Sequence, residues 1–203
     1  MRIALLLRGI SYMEQYFSSK KTPQTIDWNL SKDNVMSFFS GYDVDVFFHT
    51  WNHDHTSDLI DYYKPKSYVI GEFDKIIHKY ISLNSSVLNV LECFENFITN
   101  NENISYDYIV ITRFDITFTG KFSDLKLDAN TTYFANEYYE DNFYVIKKDN
   151  ISTLIKIILK WIKNSHHIII YNLKRRLRKK FKCIDLIHYS NGNSSFYHIG
   201  PTR

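Results

Sequence analysis

Arg113 and Asp115 stand two residues apart, just after the run Tyr108 to Ile111 turns from apolar to polar at Thr112. On an extended chain a spacing of two puts both side chains on one face. A guanidinium there can contact phosphate with charge-assisted hydrogen bonds, and a carboxylate can ligate a hard cation or hold the arginine. The same pair could equally be a plain ion pair at a sheet rim. Two further apolar runs end in polar groups: Arg2 to Leu7 leads into Arg8-Gly9, and Asp43 to Thr50 delivers Thr50, Trp51 and Asn52. Glycine at position 9 would let the backbone come close to a ligand.

Other chemistry-bearing residues lie further along. Glu137, Glu140 and Asp141 share a loop with Tyr138 and Tyr139. Carboxylates accept hydroxyl hydrogen bonds and aromatic faces cover sugar C–H surface, so this loop suits a polyhydroxyl acceptor and could supply a general base. Asp141, directly before the run Phe143 to Ile146, is the favoured base because a strand would hold it. His198 precedes Gly200 by two residues, and Arg203 lies just beyond. His49, His53, His55 and Asp54 are residue types that metals take. His53, Asp54 and His55 share a polar loop with Asn52 and Asp58, and they read as surface-loop residues rather than ligands.

The elements that must position these groups follow from periodicity. Arg2 to Leu7, Asp43 to Thr50 and Tyr108 to Ile111 read as strands buried on both faces, as in a parallel sheet. Asn29 to Phe39 reads as a helix capped near Ser31, and Asp58 to Tyr63 as a short helix stopped by Pro65. Ser67 to Ile70 is a third strand in order, and a longer helix capped at Ser82 or Asn84 runs to Thr99. Thr131 to Ala135 and Phe143 to Ile146 are later strands. Asn150 caps a helix with Ile151, Leu154, Ile155, Ile158, Trp161 and Ile162 on one face. Ser11 to Asp27 reads as a loop able to fold over a substrate. The alternation of strands and helices predicts one α/β domain with a mostly parallel sheet.

With 203 residues, 44% hydrophobic and 17% aromatic, the chain can bury a core, and general disorder is excluded. Cys93 and Cys183 have no paired-ligand spacing, which argues against a disulfide framework or thiolate zinc site. No Gly-x-Gly-x-x-Gly or P-loop pattern occurs. Without a signal-peptide core or an apolar span, the expected location is cytoplasmic. Formal net charge is +3, yet Lys174 to Lys182 alone carries seven basic residues, leaving −4 elsewhere. Leu173, Leu177, Phe181 and Ile184 recur every three or four residues through that run, predicting an amphipathic cationic helix. Its face suits peripheral contact with anionic membrane, and a non-catalytic module binding membrane or nucleic acid is the alternative reading. Nucleic acid is the weaker of those partners.

The strand ending Thr112-Arg113-Phe114-Asp115, preceded by strands at Arg2 to Gly9 and Val44 to Trp51, resembles the metal-binding strand of GT-A-fold glycosyltransferases. It is most similar to the small glycosyltransferases of large DNA viruses and related bacterial polysaccharide enzymes. Tyr197-His198-Ile199-Gly200-Pro201 is similar to the closing His-x-Gly segment of some retaining members. The resemblance implies a GT-A-like, Rossmann-like sheet flanked by helices, with residues 1–118 as nucleotide-binding half and 119–203 as acceptor half. It implies transfer from a nucleoside diphosphate sugar, UDP-linked, to a glycan or other hydroxyl acceptor. Asp115 and His198 would ligate Mn²⁺ or Mg²⁺, while Leu7, Arg8, Gly9, Thr50, Trp51, Arg113, Gly200 and Arg203 would border the nucleotide and diphosphate. Arg113 occupies the place of the first aspartate of Asp-x-Asp, where an arginine could itself offset the leaving-group charge.

Overall fold

A computed structural model describes residues 1–16, 24–72, 79–128, 131–136, 143–156, 183–187 and 197–199. In chain order its elements are β1 (Arg2–Arg8), a hairpin of β2 (Tyr12–Tyr16) and β3 (Gln24–Asp27), α1 (Lys32–Phe38), β4 (Asp43–Trp51), α2 (Thr56–Tyr63) and β5 (Ser67–Gly71). After α3 (Lys79–Asn100) come β6 (Tyr108–Arg113), β7 (Ile116–Phe118), β8 (Thr132–Asn136), β9 (Phe143–Ile146), β10 (Cys183–Ile187) and β11 (Tyr197–Ile199). Residues 151–156 are helical.

The central sheet runs β10-β8-β9-β6-β1-β4-β5. β6, β1, β4 and β5 are mutually parallel, as are β10 and β8, while β9 is antiparallel to both its neighbours. This is the mixed α/β architecture, with a mostly parallel sheet flanked by helices, that the strand and helix alternation predicts.

β1, β4 and β6, the strands expected to be buried on both faces, form the sheet's centre. On one face Ile3, Leu5, Leu7, Val46, Phe48 and Val110 pack with Trp28 and with Phe38 of α1. Phe38 stacks on Phe118 with ring centroids 4.1 Å apart and meets Phe39, Phe122 and Phe143 edge-on. On the other face Ala4, Leu6, Phe47, Ile109 and Ile111 pack under Val90, Leu91 and Phe94 of α3. Ile151, Leu154 and Ile155 join this second layer; Ile158, Trp161 and Ile162 lie outside the described residues.

At the amino ends of the strands Asp45 is buried and heavily bound. Arg2 Nη2 lies 2.6 Å and Arg2 Nε 2.9 Å from its Oδ2, Tyr106 donates to the same oxygen at 2.8 Å, and Lys66 approaches Oδ1 at 3.6 Å. The opposite, carboxyl edge is where the sequence puts the chemistry.

Several expectations are corrected. The segment read as a loop contains the β2–β3 hairpin, and α1 begins at Lys32 after a 3₁₀ turn, Trp28–Leu30. Ser31 holds the N-cap position, but its hydroxyl donates to the carbonyls of Trp28 and Phe114 instead of capping the helix. α3 starts at Lys79, ahead of both expected caps. Asn150 stands directly before the helical residues 151–156, where a cap is expected, but it also ends a 3₁₀ turn, and its amide donates to Thr132 Oγ1 at 2.9 Å. Ile184 belongs to strand β10 and not to a helix; the basic run Lys174 to Lys182 lies outside the described residues. Among the described residues no helix is long and apolar enough to cross a membrane.

Candidate functional site

Register aligns the strand ends. Arg8 of β1 pairs with His49 of β4 on one side and with Arg113 of β6 on the other. Side-by-side residues of parallel strands share a face. Arg113, Arg8 and His49 thus form a row across three adjacent strands, continuing the apolar face of Ala4, Leu6, Phe47 and Ile111 that α3 covers. That face changes from hydrocarbon to nitrogen at the carboxyl edge, where open α/β sheets take ligands. Arg8 and His49 are fully buried, and the Arg113 side chain is 24% exposed.

His49 is held by its partners. Its Nδ1 lies 2.9 Å from Ser86 Oγ, and that oxygen accepts the backbone N–H of Gly9 at 2.8 Å. With Gly9 donating, the Ser86 proton can go to Nδ1, leaving the imidazole N–H at Nε2. Burial pushes the His49 pKa down to about 4, so the ring is neutral near pH 7. A Cβ on Gly71 would stand 3.3 Å from Nε2, tighter than ordinary contact, so glycine at 71 leaves the ring its room. Trp51 covers the ring edge-on, with centroids 5.0 Å apart.

Gly9 has φ +101°, a conformation that side chains resist, and a Cβ built there would meet nothing within 4 Å. The backbone in front of the row therefore borders open space. Leu7, expected to border a ligand, is instead core on the opposite face, packed with the Trp28 and Phe38 layer. Thr50 is buried and its Oγ1 lies 2.7 Å from Ser11 Oγ.

Arg113 and Asp115 form a bidentate pair, Nε to Oδ1 at 2.7 Å and Nη2 to Oδ2 at 2.5 Å. Such fork-to-fork contacts fix orientation as well as charge. Phe114, Ile116 and Phe118 face the core, so residues 113, 115 and 117 lie on the other face of this segment. β11 pairs antiparallel with β7, putting His198 at the register position opposite Thr117, two residues on from Asp115. The sequence thus brings its two proposed ligands to neighbouring strand positions. Gly200, Arg203, Glu137, Glu140 and Asp141 lie outside the described residues.

The described donor set does not fit Mn²⁺ or Mg²⁺ in this arrangement. Both Asp115 oxygens meet a guanidinium, and no group of three His, Cys, Asp or Glu converges among the described residues. A metal would have to displace Arg113 from at least one oxygen.

A second polar cluster lies beyond Thr50. Ser11 Oγ is 2.7 Å from His53 Nε2, a nucleophile-and-base distance. His53 Nδ1, however, faces the backbone N–H of His55 at 3.1 Å, which requires Nδ1 as acceptor. The ring proton is then on Nε2 and is donated to Ser11, so this is not an activated serine.

Sequence reading missed Ser86 and Ser11. Ser86 had a signal: it aligns at helical spacing with Val90 and Phe94 of the buried stripe, where an interrupting hydroxyl needs a partner.

No family model and no curated protein matches the chain. Among solved structures it is similar to a nucleoside-diphosphate-sugar pyrophosphorylase from Vibrio cholerae, at 11% identity and a TM-score of 0.46, over 91% of this chain and 92% of that one. It is similar also to the apo-form glycosyltransferase GlyE of Streptococcus pneumoniae, at 12% identity and a TM-score of 0.46, over 91% of this chain. The chain spans 45% of the length of GlyE.

Proposed function

We propose that the chain is a glycosyltransferase of GT-A type that binds a nucleoside diphosphate sugar and passes the sugar to a hydroxyl acceptor. The observation that carries the reading is the in-register row Arg113, Arg8 and His49. Neighbouring strands lie about 4.8 Å apart, so the row spans about 10 Å, a length suited to the two phosphates of a diphosphate. Two guanidinium groups supply permanent positive charge and the neutral imidazole an N–H donor, against an anion that grows more negative as the sugar leaves. Gly9, with open space at its Cβ position, lets the phosphates approach the backbone. Asp115 holds the Arg113 fork in place, which gives the arginine the charge-offsetting role that a divalent ion would otherwise have.

The test is a thermal-shift panel of nucleoside diphosphates and their sugars, each with and without Mn²⁺. A ligand at about 100 times its Kd stabilises the folded state by about 2.7 kcal/mol, about 5–10 °C for a chain of this size. One nucleotide class should give such a shift without metal, and Arg8→Gln should remove it. A shift that appears only with Mn²⁺ would return Asp115 to the role of ligand. No shift with any nucleotide would overturn the reading.

A further inference from the structure

Ser11 ties the β2–β3 hairpin to the sheet. Its carbonyl accepts the Trp28 N–H at 2.9 Å, joining the two ends of the hairpin. Its hydroxyl, fully buried, meets Thr50 Oγ1 and His53 Nε2, each at 2.7 Å. The Tyr12 ring packs against both loop histidines, 4.6 Å from His55 edge-on and 5.5 Å from His53. The base of the hairpin therefore rests on the turn after β4.

That turn fits only a neutral His53. The ring sits in a closed pattern: Nδ1 accepts the His55 N–H, and Nε2–H donates to Ser11, whose own proton can go to Thr50. The backbone is fixed as well, since the His53 N–H donates to Thr56 Oγ1 at 3.0 Å and the His53 carbonyl accepts from the same hydroxyl at 2.7 Å. A proton added at Nδ1 would point at the His55 N–H, two donors face to face, and the ring could not stay seated.

We propose that His53 is a proton-operated latch, holding the hairpin base against the end of β4 when neutral and releasing it when protonated. The described charged and titratable groups around it are His55, Asp54, Asp27 and Tyr12, with Asp58 engaged by His55 at 3.5 Å. Burial and His55 lower the His53 pKa, outweighing the opposite pull of Asp54 and Asp27. The open hairpin then binds the proton more readily than the closed one, so opening is favoured as pH falls below the ordinary histidine range. Ser11 follows Gly9 by two residues and Arg8 by three, so release would reach the backbone that fronts the charged row. The latch stands whether or not that row binds a diphosphate.

Amide hydrogen exchange tests it. Protection of the Trp28 N–H, corrected for intrinsic rate, should fall more than about threefold between pH 7.5 and 5.5 in the native chain and stay level in His53→Asn. Val110, in the sheet centre, should remain the better protected at both pH values, marking the opening as local. Level protection in the native chain, or an equal fall in the variant, would overturn the proposal. Should His53→Asn not fold, the ring nitrogen resonances of the native chain decide instead. The latch requires the Nε2–H tautomer at pH 7.5, and an Nδ1–H tautomer or a cation there would sink it.

Discussion

Acidification should cost this chain stability through His49, by an amount its burial allows to be worked out. The unfolded imidazole titrates near its ordinary value of 6.5, and the folded one near 4. A depressed folded pKa means that the unfolded chain takes up the proton first, so the stabilisation is complete above pH 6.5 and is lost as pH falls toward 4. Integrating the difference from pH 7.5 gives a loss of about 2 kcal/mol by pH 5 and about 3 kcal/mol by pH 4. Against a total of about 5–15 kcal/mol that is a large share. The assay is urea unfolding at half-unit pH steps for the native chain and His49→Asn. Asparagine keeps a polar partner for Ser86 Oγ, which otherwise sits 2.9 Å from Nδ1, but does not titrate. Subtracting the two curves cancels every other group, His53 included. A difference that widens by about 2 kcal/mol between pH 7.5 and 5 is expected. Parallel curves over that range would refute the neutral, buried state of His49 and with it the imidazole's place in the row.

Two other variants probe what positions the site. Phe38→Ala removes the ring that stacks on Phe118 at 4.1 Å and meets three more phenylalanines, and should cost about 3–5 kcal/mol in urea unfolding with m unchanged. Asp45→Ala strips the buried carboxylate from Arg2, Lys66 and Tyr106 and should cost about 2 kcal/mol, discounted for the partial exposure of Arg2, while nucleotide thermal shifts keep their size because the cluster lies at the far end of the strands.

The centre of this fold was legible because its strands are buried on both faces. Arg2 to Leu7 and Tyr108 to Ile111 carry no alternation to misread, Asp43 to Thr50 alternates only over its first four residues, and the structure extends the three by one or two residues, Arg8, Trp51 and Thr112-Arg113. Two of those added residues, Arg8 and Arg113, belong to the charged row, whose third member, His49, lies inside the expected strand. What was not legible depends on contacts distant in sequence. β7 is three residues long and is defined by pairing with β11, about 80 positions away, which no local pattern encodes. The β2–β3 hairpin is polar and short; what holds it is the packing of its Tyr12 on His53 and His55, so its sequence looked like a loop. Ile184 fitted a helical spacing by chance, and pairing with β8 overrode it. The Arg113–Asp115 spacing was visible, but that the two meet fork to fork needed the distances.

The position of β1 constrains how the molecule can be made. It sits mid-sheet, flanked by β4, which pairs Asp43 with Arg2, and by β6, which pairs Tyr108 with Ile3. During synthesis one edge of this apolar strand is left unpaired until residues about a hundred positions later have left the ribosome, several seconds at ordinary elongation rates. The charged row is the last part of that seam to form, because Arg113 ends β6. A nascent chain therefore lacks the charged row until its central seam has closed, and a chain stalled before β6 exposes an apolar strand edge open to aggregation.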